Sequence, residues 1–152
     1  MIFPVLHTKR CVLSQISDAD VTVLWEIFKD NLFSKFLPEL SEVFGSQKSL
    51  KTFIESFNHY FDEESGILWG IRLNEKLTGF VAIIDIPDHA TLIYAIHPEY
   101  RNMRIMSETI DEVTNFWTLN YSQIPLNTEV YRGNYASLAI LQHHKTIQVM
   151  LK

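Results

Sequence analysis

The chain has 152 residues, 47% of them hydrophobic and 20% charged, and a formal net charge of -5. That size and apolar content suit a single domain over residues 1–152, and the interleaved acids and bases leave no basic stripe of the kind that binds a phosphate backbone, so nucleic acid is not an expected partner. Cys11 is the only cysteine, which excludes an intrachain disulfide and a multi-cysteine zinc site and fits a reducing, cytoplasmic setting; no apolar run reaches membrane-spanning length.

The alternation of Leu6, Thr8, Arg10 and Val12 against Cys11, Leu13 and Gln15 predicts a strand over residues 6–17. Ser17 or Asp18 can then cap a helix in which Val21, Leu24, Trp25 and Phe28 recur at helical spacing. After a break at "FLPE" (36–39), Ser46 or Ser49 opens a second helix with Leu50, Phe53, Ile54, Phe57 and Phe61 on one face. The period then becomes extended: "GILWGIRL" (66–73) and "LTGFVAIIDI" (77–86), joined at "NEK", read as a hairpin.

"HATLIYAI" (89–96) is a third extended run, closed at Pro98, which biases His97 away from helix. A helix follows over 106–119, with Met106, Ile110, Val113 and Trp117 on its buried face. "IPLNTEVY" (124–131) is a strand, Asn134 can cap a short helix, and "TIQVML" (146–151) is a last strand. This order gives an α/β fold with a mixed sheet and helices on both faces. Strands 66–73, 77–86 and 89–97 form an antiparallel meander, and the 106–119 crossover sets strand 124–131 parallel to strand 89–97. His143 and His144 have no metal-ligand partners at a recognised spacing, so no metal is expected.

Several separated pieces together resemble the GNAT superfamily of N-acetyltransferases, in its RimJ/RimL-like, ribosomal-protein alanine acetyltransferase branch. These are "HTKRCVLSQISDAD" with Thr8, Arg10, Leu13 and Asp20, the hairpin with Gly79, "YAIHPEYRNMRIMSE" (94–108), and Asn134 with Ser137 in an Asn-x-x-Ser pattern. The resemblance covers roughly residues 6–144. It implies a GNAT-like acyl-CoA N-acyltransferase fold, C-terminally shortened by one strand, and direct transfer of an acetyl group from acetyl-CoA to the primary amine of a small molecule or a peptide N-terminus. The alternative is a catalytically silent GNAT-fold binding or assembly module with a degenerate coenzyme A site.

On the resemblance, the strand segment Ala95, Ile96 and His97 lies beside the pantetheine. Arg101, Asn102, Met103, Arg104, Ile105, Met106 and Ser107 form the pyrophosphate turn, and Asn134 and Ser137 complete the cofactor contacts. Catalytic candidates are Tyr131 and Tyr135 as proton donors to the thiolate and His97 as base, Thr91 standing where the branch often has a glutamate. The family's turn carries glycines, because a Cβ obstructs close backbone approach to phosphate; here Asn102 and Arg104 replace them. Arg104 has two readings: its guanidinium pairs with a phosphate, or it leaves the pocket degenerate. Strand 146–151, apolar and without proline, is expected to pair with a second copy of the chain, which sedimentation reads directly.

Overall fold

The computed structural model describes residues 2–43 and 45–152. Its strands are β1 Leu6–His7, β2 Cys11–Gln15, β3 Ile67–Leu73, β4 Lys76–Ile84, β5 Thr91–Ile96, β6 Leu126–Val130 and β7 Ile147–Leu151. They lie side by side in chain order in one sheet. Neighbours from β1 to β5 are antiparallel, and β5–β6 and β6–β7 are parallel. The helices are α1 Val21–Phe28, α2 Asn31–Phe36, α3 Pro38–Val43, α4 Gln47–Asp62, α5 Ile105–Asn120 and α6 Tyr135–Leu141.

The expected strand over 6–17 is in fact two strands. Thr8 turns the chain, its N–H donating to the Cys11 carbonyl (2.9 Å) and its Oγ1 accepting from the Cys11 N–H (2.8 Å). A threonine in a strand-like alternation hides such a turn, because the hydroxyl competes with the ladder for the local N–H. The other boundaries follow their local chemistry. Ser46 caps α4 by accepting from the Ser49 N–H, and Asn134 caps α6 by accepting from the Ser137 N–H. Asn74 and Glu75, at φ of 50° and 68°, make the left-handed pair that joins β3 to β4.

The parallel pairing of β5 with β6 agrees with the crossover expected from the 106–119 helix, and α6 sets β7 parallel by the same logic. Period-two alternation sorts the central strands into two cores. Trp69, Ile71, Val81 and Ile83 pack with Ile110, Val113 and Trp117 of α5 on one face. Leu68, Phe80 and Ala82 pack with Leu24, Ile27 and Phe28 of α1 and Leu50, Ile54 and Phe57 of α4 on the other. At the sheet's end β7 pairs only with β6, and Val149, Met150 and Leu151 are exposed.

Candidate active site

The site begins where two strands part. β5 and β6 share one register pair, Thr91 with Asn127; the Asn127 N–H donates to the Ala90 carbonyl (2.9 Å), and Thr128 Oγ1 to the Leu92 carbonyl (2.9 Å). Past that point the strands diverge. The His97 N–H donates to Thr78 of β4 (2.7 Å), so odd-numbered backbone groups of β5 face β4. By alternation the N–H and C=O groups of Tyr94 and Ile96 face the opening, where no strand meets them. A cavity of about 690 Å³ fills this wedge.

One end of the cavity is the start of α5. Asn102 and Arg104 both take left-handed backbone, at φ of 63° and 60°. The chain therefore makes the turn that glycines would make, without glycines. In α5 the first amide to bond backward is that of Glu108, to the Arg104 carbonyl (3.2 Å), which leaves the N–H groups of Ile105, Met106 and Ser107 without helical acceptors. Free amides at a positive helix end suit an anion. Arg104 lines the cavity and, among the described residues, its guanidinium has no ion-pair partner.

The turn is held from behind. Arg10 donates through Nη2 to the Met103 carbonyl (2.6 Å) and through Nε to Glu108 (3.0 Å), while Thr8 Oγ1 donates to the same carboxylate (2.7 Å). Burial alone would raise the Glu108 carboxyl, but the bonds from Thr8 and Arg10 outweigh it and hold the group below the usual glutamate value. A depressed carboxyl stabilises the fold above its unfolded value, and that contribution is lost as pH falls through the folded value. We expect Glu108→Gln to flatten the acid limb of the stability–pH curve in urea titrations between those two values; an unchanged limb would show that the clamp contributes nothing.

α6 brings the third component. Tyr94, half-buried on β5, donates its hydroxyl to Ser137 Oγ (3.1 Å), and both line the cavity. Burial pushes the Tyr94 phenol up, opposed in part by the bond to Ser137. The far end belongs to the other face of the sheet: Ile27 of α1, Leu32, Phe33 and Phe36 of α2, and Leu37. The cavity thus passes through the sheet.

Of the residues expected at the cofactor site, Ala95, Ile96, Arg101, Asn102, Arg104, Ile105, Met106, Ser107, Asn134 and Ser137 line this cavity. Met103 does not; its side chain is exposed and its carbonyl faces Arg10. Arg101 is ion-paired with Asp30, whose carboxylate also caps α2 at the Leu32 N–H. His97, Tyr131 and Tyr135 are not among the lining residues.

Each of these three has its own surroundings outside the cavity lining. His97 Nδ1 accepts from the Glu99 N–H (3.2 Å) and Nε2 meets Glu26 (2.7 Å), so both ring nitrogens are engaged in holding the turn. The Tyr131 hydroxyl donates to Glu39, a bond that holds the Glu39 carboxyl down and pushes the phenol up. Tyr135 is 78% exposed. Tyr94, on the strand face of Ile96, joins the site without having been expected there from the sequence. So does the α1–α2 wall, whose apolar residues carry no signal separating wall from core. Among the described residues no group of three His, Cys, Asp or Glu side chains could hold a metal ion.

The model of the acetyltransferase (GNAT) domain family matches residues 10–145. The chain is 26% identical over 145 residues to an uncharacterized N-acetyltransferase, YoaA, of Bacillus subtilis (strain 168), covering 92% of this chain and 81% of that relative. Among solved structures it resembles the RimL ribosomal L7/L12 alpha-N-protein acetyltransferase in complex with coenzyme A, with a TM-score of 0.82 at 13% identity over 93% of this chain and 83% of that one. A ribosomal-protein-S5-alanine acetyltransferase from Vibrio fischeri gives 0.77 at 14% identity, over 93% and 82%. The Microcin C7 self immunity acetyltransferase MccE, solved with acetyl-CoA and AMP, gives 0.73 at 17% identity, over 90% and 78%. At these identities the structural likenesses establish the fold.

Proposed function

We propose that this chain, which belongs to the acetyltransferase (GNAT) domain family, transfers an acetyl group from acetyl-CoA to a primary amine by direct attack. The observation that carries the reading is the cavity that crosses the sheet at the β5–β6 wedge, with free helix-start amides at one end and an apolar chamber at the other. The pyrophosphate goes to the amides of residues 105–107 and to Arg104. The pantetheine runs along β5, whose unpaired Tyr94 and Ile96 amides face the wedge and can donate to the thioester oxygen as negative charge builds on it.

The amine enters from the α1–α2 side and must be neutral to attack. An apolar wall disfavours the ammonium form and so assists loss of its proton. The nitrogen bonds to the acetyl carbon and gives up its surplus proton to solvent, the carbon–sulfur bond breaks, and the departing thiolate takes a proton. Ser137, its Oγ already accepting from Tyr94, passes its hydroxyl hydrogen to the thiolate as the Tyr94 hydrogen replaces it, and a solvent proton then restores the Tyr94 phenol. We assign this role to the Tyr94–Ser137 pair rather than to Tyr131 or Tyr135, because only the former lies in the cavity. A homodimer through the exposed β7 edge belongs to the same proposal.

The test follows coenzyme A thiol release from acetyl-CoA with a panel of primary amines and short peptides. Parent protein should turn over at least one of them. Ser137→Ala and Tyr94→Phe should each lower kcat by roughly 100-fold, the size of a lost general acid, with coenzyme A affinity retained in calorimetry. Coenzyme A binding with no turnover of any amine would turn the reading to a binding module, and parent-like kcat in both variants would remove the pair from the mechanism.

A further inference from the structure

The acceptor end of the cavity is walled by Ile27, Leu32, Phe33, Phe36, Leu37 and Ile93. These residues do two jobs. Phe33, 4% exposed, packs edge-on against Phe28 with ring centroids 4.6 Å apart and is core. Phe36 and Leu32 keep free surface and present it to the opening.

Among the described residues, charge at this end is already matched. Glu129 lines the cavity but is held by Lys152 (2.6 Å), and Arg101 is held by Asp30. Glu39 is bonded by Tyr131 and Lys152, and Glu26 by His97. Lys35 places its ammonium 5.2 Å from the centre of the Phe36 ring, so a positive charge already lies over the aromatic wall. A ligand bearing a second cation would lose hydration there without gaining an unoccupied carboxylate.

Resting on the acetyl-transfer reading, we infer that the acceptor is a primary amine on an apolar body, with Phe36 and Leu32 selecting the apolar group and excluding polycations. An aliphatic or aromatic monoamine meets this description, and so does a peptide N-terminus whose first side chain is apolar. One cation enters, loses its proton in the chamber and is consumed as the attacking nitrogen. A diamine of equal length keeps a charge that the wall does not accommodate.

The experiment compares heptylamine with hexamethylenediamine, two acceptors of equal length that differ in a terminal methyl against a terminal ammonium, at saturating acetyl-CoA; hexylamine serves as the monoamine with the same six-carbon chain. Parent kcat/KM should favour either monoamine over the diamine by about tenfold or more, in the range by which apolar pockets discriminate. Phe36→Asp should narrow or reverse that ratio. Leu32→Asp, at a position 43% exposed on a helix surface and therefore compatible with folding, should move it the same way. Peptides beginning with leucine or lysine, run beside these amines, show whether the apolar body is a free amine or a chain end.

Acetylation of heptylamine and the diamine at equal efficiency, preference for the diamine, or a ratio unmoved in both variants overturns this inference and leaves acetyl transfer standing. Failure of every amine and peptide to accept acetyl overturns the transfer reading and takes the inference with it.

Discussion

Replacing Gly79 by alanine is expected to destabilise the protein by about 1–3 kcal/mol, the range for atoms forced into a packed site, and to weaken coenzyme A binding at the same time. A Cβ on Gly79 would stand 2.5 Å from the Ala95 carbonyl oxygen and 3.1 Å from the Ile96 Cα. Both are backbone atoms of the neighbouring strand, so no side chain can turn aside to make room. The ladder between β4 and β5 must open, and β5 is the strand whose residues 92–96 line the cavity. Urea midpoints read the first effect and calorimetry the second. An unchanged midpoint would show that β4 and β5 part at no cost, and would dissolve the link between this glycine and the site.

Replacing Arg104 by glycine is expected to move stability and binding in opposite directions. Arg104 sits at φ 60° and ψ 18°, a left-handed conformation that costs a side-chain-bearing residue about 1–2 kcal/mol and glycine very little. Arg104→Gly should therefore stabilise the fold. The backbone already follows the path glycine would take, so the substitution gains little in approach to the ligand. It removes a cation that lines the cavity with no ion-pair partner among the described residues, Arg101 being engaged by Asp30. Coenzyme A affinity should fall by about 1–3 kcal/mol, the value of a lost charge-assisted bond. Arg104→Ala, which keeps a Cβ in the same conformation, should lose binding without the gain in stability. Tighter binding by Arg104→Gly would reverse the assignment and make the Cβ, rather than the charge, decisive.

What was legible in the sequence was what neighbours along the chain decide. Ser46 and Asn134 announce their helices because a cap acts within three residues, and the β5–α5–β6 order dictates parallel strands because the helix carries the chain back to the end at which β5 began. The site depended on distant partners. His97 beside Pro98 gives no sign along the chain of Glu26, from α1, on its Nε2. Tyr131 lies next to the motif region, yet its hydroxyl is bonded to Glu39 on α3. Asn102 and Arg104 read locally as a spoiled glycine turn. The turn forms because Arg10 and Thr8, nearly a hundred residues earlier, grip Met103 and Glu108. Phe33 and Phe36 illustrate the same limit, since their spacing says only that each is apolar and the packing makes one core and the other wall.

The parting of β5 and β6 also makes the sheet a structure with a seam. Five strands stand on one side and two on the other, stitched at Thr91, Asn127 and Thr128, and spanned outside the sheet by α5. Whatever occupies the opening lies where ladder bonds would otherwise run, so it acts as mortar between two courses of masonry. On the proposed reading that occupant is acetyl-CoA, so the molecule that reacts would also help to hold the two courses together, and each release of product would return the protein to its least cemented form.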